Sequence, residues 1–140
     1  MHDGTEGPEL AVSAALAEAM TEKAGDAFEF LPVFRIWSLA PNAEILWPKS
    51  QYMHIVARRD SWDESRMSVF QRRDRKRNLP LDSYGIEGAE RVVKASALTG
   101  ATLWRDARTL HTLCTEEIKA VFESFAHPAL HFRPVDISEN

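Results

Sequence analysis

The stretch SAALAEAMTEKAGDAFEFLPV, Ser13 to Val33, carries in order a hydroxyl residue, an amphipathic helix, a Gly-Asp stop and an apolar strand. The apolar pattern begins at Glu9, with Leu10 and Val12, and continues through Leu16, Ala19, Met20 and Lys23 on one helical face. Ser13 or Thr5 is placed to cap the helix. Gly25-Asp26 closes it, because glycine tolerates the left-handed conformation at a helix end. Phe28 to Trp37 then reads as a strand, with Pro32 at an edge or a bulge.

The same order returns 102 positions later in TEEIKAVFESFAHPALHFRPV, Thr115 to Val135. Ala24/Ala126, Ala27/Ala129, Phe30/Phe132, Pro32/Pro134 and Val33/Val135 are identical, and Ser13/Thr115, Leu16/Ile118, Met20/Phe122 and Phe28/Leu130 are conservative pairs. Any two helix–turn–strand units share some of this pattern, so chance and duplication of a helix–strand unit both stand. Two copies are too few for a solenoid. The expected fold is a single α+β domain over residues 1–140, with a largely antiparallel sheet packed by two main helices. Residues 1–8, with Gly4, Gly7 and Pro8, read as a flexible arm.

Between the two copies the pattern is that of short strands. Ile45 to Trp47, Tyr52 to Ala57, Arg91 to Lys94 and Thr102 to Arg105 are expected strands, and Thr109 to Cys114 closes a hairpin around Asp106-Ala107-Arg108. Gln71 to Arg77, which lacks apolar residues, reads as a solvated hairpin tip or loop, with Met67 to Phe70 leading into it. Tyr84 to Gly88 reads as a turn, and Leu130 to Val135 as the closing strand. Thr115 caps the last helix, with Glu116 and Glu117 in its first turn and Ile118, Val121, Phe122 and Phe125 as its buried stripe.

The chain has 140 residues, of which 44% are hydrophobic and 27% charged, which excludes a largely disordered or collagen-like chain. The net charge of −4 conceals a division. Met1 to Val33 holds seven carboxylates and one lysine, whereas Arg58 to Arg77 holds eight basic residues against four acidic ones. A single cysteine, Cys114, excludes an internal disulfide and suits a reducing compartment. The acidic start does not read as a signal peptide, and no apolar run approaches the roughly 20 residues of a membrane span. A cytoplasmic location without membrane contact is the expectation.

Catalytic and cofactor motifs are weak. No Gly-rich phosphate loop and no nucleophile elbow occurs. His111-x-x-Cys114 lacks third and fourth metal partners, and His127 and His131 are separated by Pro128 in an expected strand, where four residues span about 13 Å. Cys114 has no group to orient His111 as its base. Glu117-x-Lys119 sits on a helix, where the nuclease motif it matches in part needs a strand. Asp60, Asp63 and Glu64 beside Arg58, Arg59 and Arg66 read more simply as surface ion pairs than as acid–base machinery. No catalytic residue, metal or cofactor is expected. The run Arg72, Arg73, Arg75, Lys76 and Arg77 can grip phosphates, flanked by Trp62, Phe70 and Tyr84.

Three stretches carry a family resemblance. They are Ser13 to Val33 with its Phe-Leu-Pro-Val end, Arg59-Asp-Ser-Trp-Asp-Glu-Ser65, and Leu103-Trp-Arg105 leading through Cys114-Thr-Glu-Glu-Ile-Lys119 to Phe132-Arg-Pro-Val135. The chain resembles the immunity-protein-eleven family of bacterial polymorphic toxin systems. That resemblance implies a non-enzymatic cytoplasmic inhibitor that binds a cognate protein toxin. Trp and Arg are the usual interface anchors. Of Trp37, Trp47, Trp62 and Trp104, Trp62 is expected to be exposed because charges surround it. The candidate partner-binding set is Asp60, Trp62, Asp63, Glu64, Arg66, Trp104 and Arg105. The acidic first helix suits a basic toxin and the Arg-rich loop an acidic one. The alternative is a nucleic-acid-associated or regulatory protein using Arg72 to Arg77.

Overall fold

The computed structural model describes residues 9–32, 36–37, 44–45, 51–125 and 131–139. The expected arm at 1–8, the segment following Pro32 and the end of the Ile45 to Trp47 strand lie wholly or partly outside these residues.

Ser13 is the first decision point of the fold. Its hydroxyl accepts from the Leu16 backbone N–H at 3.2 Å, which satisfies one of the unpaired donors at a helix start. The four residues before it, Glu9–Val12, are extended and form strand β1, so the helix begins later than the apolar pattern suggests. Helix α1 (Ala14–Ala24) buries Leu16, Ala17, Met20 and Ala24. At its end Gly25 has φ −61°, in the right-handed region. Glycine is needed there for space: a Cβ would stand 2.7 Å from the Thr21 carbonyl oxygen.

Strand β2 (Phe28–Pro32) follows, then the short pair β3 (Ile36–Trp37) and β4 (Glu44–Ile45), and β5 (Gln51–Ile55). β5 is central in an antiparallel sheet of order β1-β5-β2, so Pro32 ends an edge strand, where its missing N–H costs least. Next come β6 (Arg58–Arg59), β7 (Ser68–Arg73), β8 (Pro80–Glu87), β9 (Val92–Lys94) and the single-turn helix α2 (Ala95–Leu98). The chain ends with β10 (Leu103–Asp106), β11 (Thr112–Cys114), α3 (Glu116–Ser124) and β12 (Asp136–Ser138). β10 lies between antiparallel β11 and parallel β6, and β12 runs parallel to β9. The fold is α+β with mostly antiparallel pairing.

Three expectations change. Tyr84 to Glu87 belongs to strand β8 because Ser68 to Gln71 pairs with it residue for residue, and the chain turns only at Gly88, with φ +74°. The helix–strand echo holds for cap position and helix, yet Thr115 makes no side-chain cap bond. Residues 131–135 are not a strand, and the closing strand is Asp136–Ser138, displaced to pair with β9. Its register places Ile137 opposite Val93.

Two apolar clusters hold these layers. In the first, α1 and α3 pack on the β1-β5-β2 sheet through Leu16, Met20, Phe28, Met53, Ile55, Ile118 and Phe122, with Leu103 joining from β10. The second gathers Trp62, Met67, Val92, Val93, Ala97, Trp104 and Leu113. Ala57 packs against both. Among the described residues no helix is long and apolar enough to cross a membrane.

Ile118, fully buried between helix and sheet, is expected to cost about 2–5 kcal/mol when changed to Ala, read as a fall in urea midpoint. Burial, then the neighbouring Glu116 carboxylate, pushes the half-buried Cys114 thiol up to about 11 from an ordinary value of 9.0. At pH 8 its reaction with a disulfide reagent is therefore expected to be about 100-fold slower than in the denatured chain.

Candidate interaction surface

Strand β10 is buried at all four positions although it carries Arg105 and Asp106. A fully buried carboxylate must find donors or lose its charge. Asp106 finds four. Its Oδ1 accepts from the Ser61 N–H at 3.0 Å. Its Oδ2 accepts from the Thr109 N–H and hydroxyl, each at 2.8 Å, and from the Arg108 N–H at 3.2 Å. Thr109 Oγ1 in turn accepts from the Trp62 indole N–H at 2.8 Å. Ser61 Oγ accepts from the Trp104 indole at 2.9 Å and donates to the Arg59 carbonyl. Two tryptophans from different parts of the chain are thereby tied to one carboxylate.

The backbone reinforces the knot. Ala107 N–H donates to the Arg59 carbonyl and Arg105 N–H to that of Ala57. On the other side of the loop, Lys94 N–H donates to Ser61 and Asp63 N–H to Val92. Leu110 holds φ +61°, a strained value for a bulky residue. It stays there because its N–H donates to the Asp106 carbonyl and its own carbonyl accepts from Arg105 Nε at 3.0 Å. Burial, then the nearby Arg58 charge, lowers the Arg105 guanidinium from its ordinary value.

Trp62 was placed at the surface by its charged sequence neighbours, and it is only 2% exposed. Asp63, Trp104 and Arg105 are buried as well. Ser61, Trp62 and Asp63 are buried one after another, each with a hydrogen-bond partner for its side chain, so the charges at Asp60 and Glu64 say little about the residues between them. Asp63 works locally: its Oδ1 accepts from the Ser65 N–H and hydroxyl and closes the loop. These four support the surface without forming it.

Asp60, Glu64 and Arg66 do reach solvent, already paired. Lys94 meets Asp60 at 2.6 Å, Arg66 meets Glu90 at 3.7 Å, and Arg108 holds Glu64 through both carboxylate oxygens, at 3.3 and 2.8 Å. The Glu64 hydrogen bond raises Arg108 from its ordinary value. Arg108 also sits 5.9 Å from the Tyr84 ring centroid, which ties this ledge to β8.

Beyond the ledge stands the β7–β8 ribbon, whose strands pair only with each other among the described residues. Its inner face, Val69 and Ile86, packs on the second cluster. On its outer face Phe70 lies opposite Gly85, where a Cβ would meet the ring at 2.7 Å and Arg72 Nε at 3.4 Å. The tip is ordered by its own bonds. Asp74 accepts from the Lys76 and Arg77 N–H groups, and Arg73 donates to the carbonyl and side chain of Asn78, whose φ is +53°. Arg75, Lys76 and Arg77 are exposed there. So are Phe70 at 46%, Leu79 at 55% and Leu81 at 41%. Leu79, Leu81 and Arg108 escape sequence reasoning; Phe70 was legible only as an aromatic flanking the basic run, and its seat across Gly85 comes from the strand pairing.

Among the described residues no group of three or more His, Cys, Asp or Glu is placed to hold a metal ion. No family model matches the chain, and neither the curated proteins nor the solved structures contain a match.

Asp106→Ala strands three buried donors and a fourth, partly buried one, and is expected to cost about 3 kcal/mol or more, with red-shifted tryptophan emission. Asp60→Ala, which removes exposed ion pairs, should lower stability by less than about 1 kcal/mol, read from the shift in urea midpoint.

Proposed function

We propose that the chain is a non-enzymatic immunity protein that binds and neutralises a cognate bacterial toxin by protein–protein contact, in the cytoplasm. The observation that carries this reading is the ribbon, which projects exposed Phe70, Leu79 and Leu81 among basic side chains on a buttressed base. Exposed apolar side chains gathered beside charges mark surfaces that bury against partners. The three stretches that resemble the immunity family bear on this in a specific way. Arg59 to Ser65 and Leu103 to Arg105 build the buried knot, so they support the scaffold and leave the ribbon free to vary with the partner.

A second reading has its own observation. A two-stranded ribbon fits a nucleic-acid major groove, and Arg72, Arg73, Arg75, Lys76 and Arg77 stand at this one's outer end.

Co-expression with the toxin encoded beside its gene is expected to restore growth, and the two proteins should co-purify at about 0.5 M salt, where exposed charges are largely screened. The second reading requires binding to a 20-base-pair duplex that falls steeply with salt and vanishes when Arg72, Arg73, Arg75 and Arg77 become Ala. Growth rescue without duplex binding decides for the first.

A further inference from the structure

Resting on the immunity reading, we infer that the outer face and tip of the β7–β8 ribbon are the toxin-docking site, and that the toxin presents there an acidic face around an apolar recess that receives Phe70. Phe70 is positioned before any partner arrives. Its ring lies across Gly85, so close that a single methyl group at that position would collide with it. An aromatic that rests on a glycine leaves its other face open to a partner, and an aromatic beside an arginine is the usual composition of an interface anchor. Arg72 Nε reaches the same point above Gly85.

Charge selects the partner's sign. Residues 68–87 carry five cations against Asp74, Asp82 and Glu87, and Asp74 is already engaged in capping the tip. The exposed cations Arg73, Arg75, Lys76 and Arg77 surround the apolar side chains Leu79 and Leu81. Apolar side chains gain nothing from a phosphate backbone, and a modest surplus of two cations is small for gripping one; both features suit a protein face with carboxylates around an apolar centre. The rival surface is the acidic face of α1, where Glu18 and Glu22 are exposed and, among the described residues, the helix itself carries no exposed large apolar side chain. That composition suits a basic partner, opposite in sign to the one the ribbon selects, and offers no anchor.

The test uses the full chain and the toxin domain encoded beside its gene, with binding followed by titration calorimetry at two salt concentrations. Phe70→Ala is expected to weaken binding at least 30-fold, in the range of an interface anchor. Arg75→Glu and Arg77→Glu together should weaken it most at low salt and slow association, whereas Glu18→Lys with Glu22→Lys should leave it within about twofold. Unchanged circular dichroism and urea midpoints separate lost contact from lost fold, and the tip reversals lie wholly outside both cores. Tight toxin binding that ignores the ribbon changes, or that falls with the α1 changes, overturns the docking site and leaves the immunity reading standing. A chain that does not bind the toxin and does bind a 20-base-pair duplex through the same arginines overturns both.

Discussion

The Asp106 carboxylate is the constraint on which the rest of this molecule depends. It is fully buried, and its oxygens collect donors from Ser61, Arg108 and Thr109. A buried carboxylate tolerates no half measures: with every donor in place it fixes the geometry around it, and with donors missing it is a liability. The Thr109 hydroxyl carries its influence to the Trp62 indole, and by holding the Ser61 backbone N–H the carboxylate places the serine whose hydroxyl receives the Trp104 indole; both rings belong to the second apolar cluster. Polar satisfaction and apolar packing here are one arrangement, since each indole buries its ring only because its N–H has a partner.

The position of the ribbon follows from that arrangement. Val69 and Ile86 rest on the cluster that Trp62 and Trp104 complete, and Arg108, leaving the turn that Asp106 organises, meets Tyr84 on β8 and Glu64 on the facing loop. The ribbon is therefore seated by its base, and its outer end is free to carry residues that contribute nothing to the core. The two helices answer to the other cluster, where Met20, Ile118 and Phe122 meet the β1-β5-β2 sheet. Carboxylates concentrate on the helical layer and cations on the ribbon, so the uneven charge of the sequence becomes a separation between structural layers.

Much of the fold was legible where local chemistry alone decides it. The Ser13 cap, the stripe Leu16-Met20, the hairpin around Asp106 to Arg108 and the basic turn are each set by residues within a few positions of one another, although Gln71 to Arg73, expected in the tip, continue strand β7. Reading failed where a distant segment decides. Tyr84 to Glu87 resembles a turn by its glycines, and it is a strand because Ser68 to Gln71 lies beside it. Leu130 to Val135 copies the first strand motif, yet the edge available in that region is offered by β9, which takes Asp136 to Ser138 instead. Trp62 looked exposed because its neighbours are charged, and no local rule states that Thr109, 47 positions later, holds a hydroxyl for its indole.

By itself the sequence determined the α+β class, the two main helices and the split of charge between the first third and the middle, because periodicity and composition act over a few residues. Tertiary structure alone decided which of the charged and aromatic residues face outward. Trp62, Asp63, Trp104 and Arg105 went inside, and Phe70 stayed out across Gly85. The reason is that burial of a polar or aromatic side chain depends on whether its hydrogen-bonding atoms meet partners, and those partners come from strands that only folding brings together.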